Sequence, residues 1–522
     1  MNSPFAHRWQ RRLADRRLHE FLWFCVPGVV VAVLIRAWLT ASMPYGQFHF
    51  DTPDFLQTPY DLLQRHRLTL HNKKTFLVPL LYTVPFLLHV PALIVIPAGQ
   101  HLLGTLLVLM TGALARLWFA CWRALIVPLT ALVAVQPSLL WFEHTLLAET
   151  VYVVCVVWAA LAGTLFVRRP GWESLGFLLA ALFFTAGARP EGRLFLAFGV
   201  LLVGLVYGRR WRVEMAKLAA VAGFCVVTLL ATRTAQAGIL LYASILHLAP
   251  DESRVAPDLM RCLRPMRDRL RRERAERVSN DVVRVEKRLS EQIVGCFAPQ
   301  HPELALGEPG KYNAKNLNKL CLRLALETAR QHPLALPQIV GHRFLARIED
   351  DSGGEFANHD VQTRQYRALK RGMKRNDVLG VGLAGVPLDS EDAITSYVYG
   401  HFDEHRVHWY NRWEHVWMET LGWWHLPDRV FSEEYKLPGL PVFYVFALLG
   451  AVAALGLPGH FRVMHWAFLP VLAGVWFTVT LTGAIMPRYR FVLEPFWWLY
   501  FFFFVDAVGR LIRRRLPILL PA

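Results

Sequence analysis

Several apolar runs of nearly 20 residues, almost free of charge, limit what this chain can become. The runs 21–40, 151–167 and 491–505 approach the length a helix needs to cross a hydrocarbon core, which is about 20 residues for ~30 Å. A soluble domain has no use for them, so the chain reads as an all-α polytopic membrane protein. The first run is long and lacks a convincing small-residue cleavage pattern around residues 40–45, so it reads as a retained anchor rather than a cleaved leader.

Charge placement sets the expected topology. The net charge of +17 would suggest nucleic acid in a soluble protein. Here much of it sits in short arginine clusters beside apolar runs, where the positive-inside rule accounts for it with no nucleic-acid partner. Arg8, Arg11, Arg12, Arg16 and Arg17 put the N-terminus in the cytoplasm. All later clusters (Arg116/Arg123, Arg168/Arg169, Arg209/Arg210/Arg212, Arg462, Arg510/Arg513/Arg514/Arg515) fall inside if 76–96 does not cross. That segment carries Pro79, Pro85 and Pro91, which makes it a poor straight span, and it is expected as a helix along the outer surface. About ten spans follow: 21–40, 99–119, 124–141, 147–167, 174–188, 191–207, 213–234, 438–457, 463–483 and 489–509. Both termini are then cytoplasmic.

Three regions are expected: an N-terminal membrane module, 1–235; a mainly helical extracytoplasmic domain, 236–437; and C-terminal membrane helices, 438–522. Within the large loop, 316–331 repeats apolar residues at helical spacing and stops before Pro333. The seven cysteines show no metal-ligand spacing. Cys262, Cys296 and Cys321 leave room for one disulfide whose pairing the sequence does not reveal.

Charges at membrane depth are costly, so each one is a candidate functional group. Four places stand out, all on the outer face in this topology. Asp51 and Asp54 follow the first span in His-Phe-Asp-Thr-Pro-Asp-Phe, where a carboxylate could serve as general base. Helix capping by Asp51 or Thr52, with Pro53 at the first position, is the plainer alternative. Glu143, His144 and Glu149 lie at the second outer turn. Arg189-Pro190-Glu191-Gly192-Arg193 follows a run too short for a full crossing, so the turn is recessed; Arg189 either pairs internally with Glu191 or binds phosphate. Arg488, Tyr489 and Arg490 separate the last two spans, with Glu494 just inside the final one. Snorkelling arginines favour the cytoplasmic side, and these face outward.

The order of these motifs resembles the GT-C superfamily of polytopic glycosyltransferases, which use lipid-phosphate sugars. The resemblance covers most of the chain. Asp51 in the first outer loop, the surface helix, Gln136-Pro137-Ser138 through Glu149, the Arg189-Pro190-Glu191-Gly192 turn, and Arg488-Tyr489-Arg490 with Glu494-Pro495 each match a family feature in place. The chain departs from the family in carrying Asp-Thr-Pro-Asp rather than Asp-x-Asp. This leaves the choice between Asp51 and Asp54, and any need for metal, open.

The resemblance implies a sugar transferase at the outer face of a plasma (inner) membrane, bacterial or archaeal. Its donor would be a polyprenyl-phosphate sugar entering from the bilayer, and its acceptor a glycan, a lipid or a protein hydroxyl. Asp51, with Asp54 as understudy, would take the acceptor proton. Arg189, Arg488 and Arg490 would hold the donor phosphate, and transfer would invert the anomeric centre. Glu143 and Glu149 would bind sugar hydroxyls or a divalent cation, magnesium or manganese. His144, Glu191 and Tyr489 complete the expected substrate contacts. The competing expectation is a multi-span transporter or flippase of a lipid-linked or anionic substrate. No repeat of the first half appears in the second to support it.

Overall fold

The computed structural model describes residues 16–47, 52–67, 75–208, 212–231, 237–275, 288–289, 291–293, 295, 314–334, 412, 442–456, 461–482 and 493–515. Asp51, Arg488, Tyr489, Arg490 and most of 236–437 lie outside these residues. Among the described residues the chain is helical without a strand, apart from one isolated bridge between Gln47 and Thr145.

The elements follow in chain order. The first half begins with α1 (Arg16–Ser42), α2 (Thr52–Arg65), α3 (Leu77–Leu87) and α4 (Ala92–Trp118). It continues with α5 (Ile126–Val135), α6 (Pro137–His144), α7 (Glu149–Arg168) and α8 (Trp172–Ala188). Next come α9 (Phe195–Tyr207), preceded by a 3-10 turn Pro190–Leu194, and α10 (Met215–Ala231). The loop segment contributes α11 (Ala237–Ile245), α12 (Pro257–Ala275) and α13 (Ala314–Gln331). The chain closes with α14 (Val442–Gly456), α15 (Phe461–Thr482) and α16 (Glu494–Arg515).

Among the described residues, six stretches are long and apolar enough to cross a membrane: Trp23–Ser42, Ala92–Trp118, Glu149–Arg168, Pro190–Tyr207, Phe461–Thr478 and Glu494–Arg513. A seventh arises if the bent pair Arg123–Val135 and Pro137–His144 counts as one span. Shorter apolar helices at Trp172–Ala188, Met215–Ala231 and Phe443–Gly456 occupy three further places where spans were expected. The chain is therefore an all-α, membrane-embedded protein.

Two expected boundaries are corrected. The surface helix does not run over 76–96. It ends at Leu87, the chain turns through His89 in a left-handed conformation (φ 53°), and Pro91 then opens α4. Residues 92–96 thus belong to the 27-residue α4, which is ~40 Å long at 1.5 Å per residue. The interior Pro97 would leave the Leu93 carbonyl without its helical partner, and the Gly46 amide donates to that carbonyl at 2.8 Å. The remaining surface helix, α3, has 11 residues, about half the length a crossing needs.

The expected straight span over 124–141 is broken at Gln136, with a 46° bend between α5 and α6. The residue before a proline is pushed out of the helical region, and Gln136 is accordingly extended (φ −63°, ψ 119°) ahead of Pro137. Its side chain is not stranded. The amide donates to Glu494 and accepts from Trp498 Nε1 at 3.0 Å, tying the break to the start of α16.

The bundle packs α1 along α5, α7 against α4 and α8, α9 on α15, and α14 along α16. Close approach uses glycine where backbones nearly touch. A side chain at Gly28 would overlap Thr130, and one at Gly450 would overlap the Tyr500 carbonyl. A separate core joins α11, α12 and α13 around Tyr242, Leu259, Leu263, Leu317, Cys321 and Leu324. The helix anticipated over 316–331 is α13. In this core Cys262 is disulfide-bonded and Cys321 is a buried free thiol.

Candidate functional site

The site forms where three connections meet at one end of the bundle. Leaving α1, the chain runs beside the α6–α7 connection. Gln47 N–H donates to the His144 carbonyl and Leu146 N–H to the Gln47 carbonyl, both at 2.9 Å. Thr52 Oγ1 then donates to the Leu146 carbonyl at 3.1 Å. The next carbonyl, Leu147, accepts from Tyr82 Oη at 2.8 Å and from Gln100 Nε2 at 2.9 Å, so α3 and α4 clamp the same loop. These bonds attach the start of α2, with Thr52 buried and Asp54 half-buried in its first turn, to the residues just before Glu149. Asp51 lies outside the described residues, as the chain neighbour of Thr52.

Glu149 is the first residue of α7, where the helix dipole favours a carboxylate. Arg189 Nη1 meets Glu149 Oε1 at 2.6 Å, and Arg189 Nε meets Glu191 Oε1 at 2.6 Å. The guanidinium carbon also lies 5.8 Å from the Tyr152 ring centroid. Arg189 and Glu191 keep 13% and 14% of their side chains exposed, whereas Glu149 keeps 3%. The triad is thus partly open.

The turn that delivers Arg189 follows from its sequence. α8 has only 17 residues, ~25 Å, and gives way directly to the Pro190–Leu194 turn. The turn folds back tightly enough that a side chain at Gly192 would strike the Thr185 carbonyl. Arg193 Nε caps the turn by donating to the Pro190 carbonyl at 3.1 Å.

Glu143 and His144 occupy a different setting from Glu149. Both are almost wholly buried, at 1% and 0% exposure. Arg36, from the middle of α1, grips Glu143 with two bonds: Nε to Oε2 at 2.7 Å and Nη2 to Oε1 at 2.6 Å. His101 Nδ1 lies 2.9 Å from Glu143 Oε2, and its Nε2 lies 3.1 Å from His144 Nδ1. His144 Nε2 reaches the Tyr45 carbonyl at 2.9 Å. The structure thus closes Glu143 and His144 inside the bundle and buries Glu149 nearly as deeply, while Arg189 and Glu191 stay partly exposed.

Arg36, His101, Tyr82 and Gln100 were not singled out from sequence. Arg36 did leave a signal: it is a charge inside an apolar run, and such a charge needs a partner at its own depth. The Arg488–Tyr489–Arg490 turn lies outside the described residues. Glu494, which follows it, opens α16 beside Gln136. No three His, Cys, Asp or Glu side chains gather as a metal-holding group among the described residues. No protein-family model and no curated protein matches the chain.

Proposed function

We propose that this chain is a membrane glycosyltransferase of the GT-C kind, moving a sugar from a polyprenyl-phosphate donor to an acceptor hydroxyl. The observation that carries the reading is the attachment of the acidic segment at the start of α2 to the loop that leads into Glu149. Thr52, between Asp51 and Asp54, bonds the Leu146 carbonyl, and Glu149 in turn holds Arg189. One end of the bundle thereby collects carboxylates and an arginine in a partly open setting beside apolar helices.

In this reading the acceptor hydroxyl gives its proton to Asp51 or Asp54 as its oxygen attacks the anomeric carbon. The bond to the donor phosphate breaks on the opposite side, inverting the centre. Arg189, together with Arg488 and Arg490, receives the growing negative charge on the departing phosphate. A phosphate leaving group needs little proton donation, so a single carboxylate base suffices. Glu149 and Glu191 keep Arg189 in place and are the groups nearest to it for sugar hydroxyls or a divalent cation. Tyr489 would contact the donor beside its two arginines.

The site end is then the outer face of a plasma membrane, with about ten crossings, both termini cytoplasmic, and 236–437 an extracytoplasmic domain. The disulfide at Cys262 suits an oxidising compartment. The rival reading, a transporter of a lipid-linked or anionic substrate, is favoured by the broken helix pair α5–α6, since transporters bind at such breaks.

The test is turnover of a panel of radiolabelled polyprenyl-phosphate sugars by purified protein, with Asp51→Asn and Asp54→Asn in parallel. The expected result is wild-type turnover that one of the two substitutions reduces at least a hundredfold with folding intact. Inactivity with every donor, together with substrate-dependent flux in proteoliposomes, would replace the transferase with the transporter.

A further inference from the structure

The Arg36–Glu143–His101–His144 chain is larger than a buried acid needs. Arg36 alone satisfies both carboxylate oxygens, and its Nη1 is further anchored by the carbonyls of Ala32 (3.2 Å) and Ala134 (3.1 Å). Two imidazoles nonetheless continue the chain from Glu143 to the Tyr45 carbonyl. That carbonyl belongs to the stretch from which Gly46 bonds α4 and Gln47 bonds the α6–α7 loop. The chain therefore ends on the backbone that carries the acidic segment to its place.

Hydrogen-bond direction makes the chain one unit. A carbonyl only accepts, so His144 Nε2 carries the proton toward Tyr45, and His144 Nδ1 accepts from His101 Nε2–H. His101 Nδ1 then meets Glu143 Oε2 with one further proton between them. The three groups together hold one proton more than a carboxylate and two neutral imidazoles would. With that proton in the Glu143–His101 contact, every link pairs one donor with one acceptor, and the rotation of either imidazole would break a bond at both of its ends. The α4 backbone leaves no slack, because a side chain at Gly104 would overlap the Glu143 carboxylate.

We infer that His101 and His144 are positioning residues: they transmit the fixed orientation of the Arg36–Glu143 pair to the Tyr45 carbonyl, and so hold Gln47, on the approach to α2, against the loop preceding Glu149. The inference rests on the transferase reading of the site for its effect on turnover, but its structural part does not. In the free energy of a single hydrogen bond, misplacing the acid-bearing loop costs about tenfold in rate.

The experiment measures amide hydrogen exchange and steady-state turnover in full-length protein in lipid nanodiscs, comparing wild type, His144→Phe and His144→Gln. Phenylalanine removes both bonds, whereas glutamine places an amide N–H where Nε2–H pointed at Tyr45. Exchange at the Gln47 and Leu146 amides is expected to rise about tenfold in His144→Phe, with exchange in α7 and α15 unchanged. Turnover is expected to fall about tenfold in kcat with KM for the donor held, and glutamine to restore most of both losses. Unchanged exchange at Gln47 and Leu146 in His144→Phe would overturn the inference whatever the activity. Faster exchange with unaltered kcat, or a loss confined to KM, would overturn the positioning role. A wild type inert toward all donors would sink the transferase reading instead, while the exchange comparison would still decide whether His144 holds the loop.

Discussion

Removing Arg36 should unfold this protein more readily than almost any other single change, and removing its partner as well should undo much of the damage. Arg36 makes two bonds to Glu143 and two to backbone carbonyls, and the two side chains are 4% and 1% exposed. Arg36→Met preserves most of the stem's apolar contact but takes the guanidinium away from an acid at 1% exposure, which then keeps its contact with His101. Breaking a buried pair from one side costs about 3–5 kcal/mol, because the surviving charge stays desolvated. The double substitution Arg36→Met with Glu143→Leu removes both charges. It should cost only about 1–3 kcal/mol, chiefly for the bond His101 loses. Equilibrium unfolding of the purified protein in mixed micelles gives both numbers and their coupling. A single-substitution cost below about 1 kcal/mol, or losses that simply add, would refute the claim that this pair is desolvated and coupled.

Two further outcomes follow from charges elsewhere. Asp506, fully buried on α16, accepts from the backbone amides of Ala120, Cys121 and Trp122 at 3.0, 2.8 and 2.8 Å, and pairs with Arg510 at 3.1 Å. Asp506→Ala should therefore cost about 3 kcal/mol or more in the same unfolding measurement, and a loss below about 1 kcal/mol would mean the α4–α5 turn is held by other contacts. In the loop segment, the hydrogen bond from Arg267 draws the Asp251 carboxyl below its usual range. A depressed folded value contributes stability above the unfolded value, about 3.9, and loses it as pH falls through the lower folded one. Exchange protection of α12 should hold from neutral pH to about 5 and fall below about 4. Asp251→Asn should abolish that acid-specific loss.

The helices themselves could be read from the chain because a bilayer makes one demand that leaves a mark on composition. Every crossing needs a long apolar run, and charge clusters gather where the runs end. The shortness of the helix before Arg189 was legible for the same reason, and α8 has 17 residues. The break at Gln136 could have been read from Pro137, whose effect on the preceding residue is local. The surface helix was drawn too long because three prolines were weighed together, whereas only Pro91 starts a new helix. Pro97 was survivable through a bond from Gly46 that no local pattern announces.

Pairing between distant charges was decided in three dimensions. Glu143 and Glu149 are six residues apart, and the sequence read Glu143 as an interfacial charge and Glu149 as the one below the headgroups, whereas both are buried. Folding places one against Arg36, 107 residues away, and the other against Arg189, 40 residues away. The first pair is enclosed by His101 and His144, while in the second Arg189 keeps 13% of its side chain exposed. The sequence by itself determined that charges at this depth must have partners, since hydrocarbon solvates none. Only the packing of α1, α4 and α6 against one another decided which partner each would have.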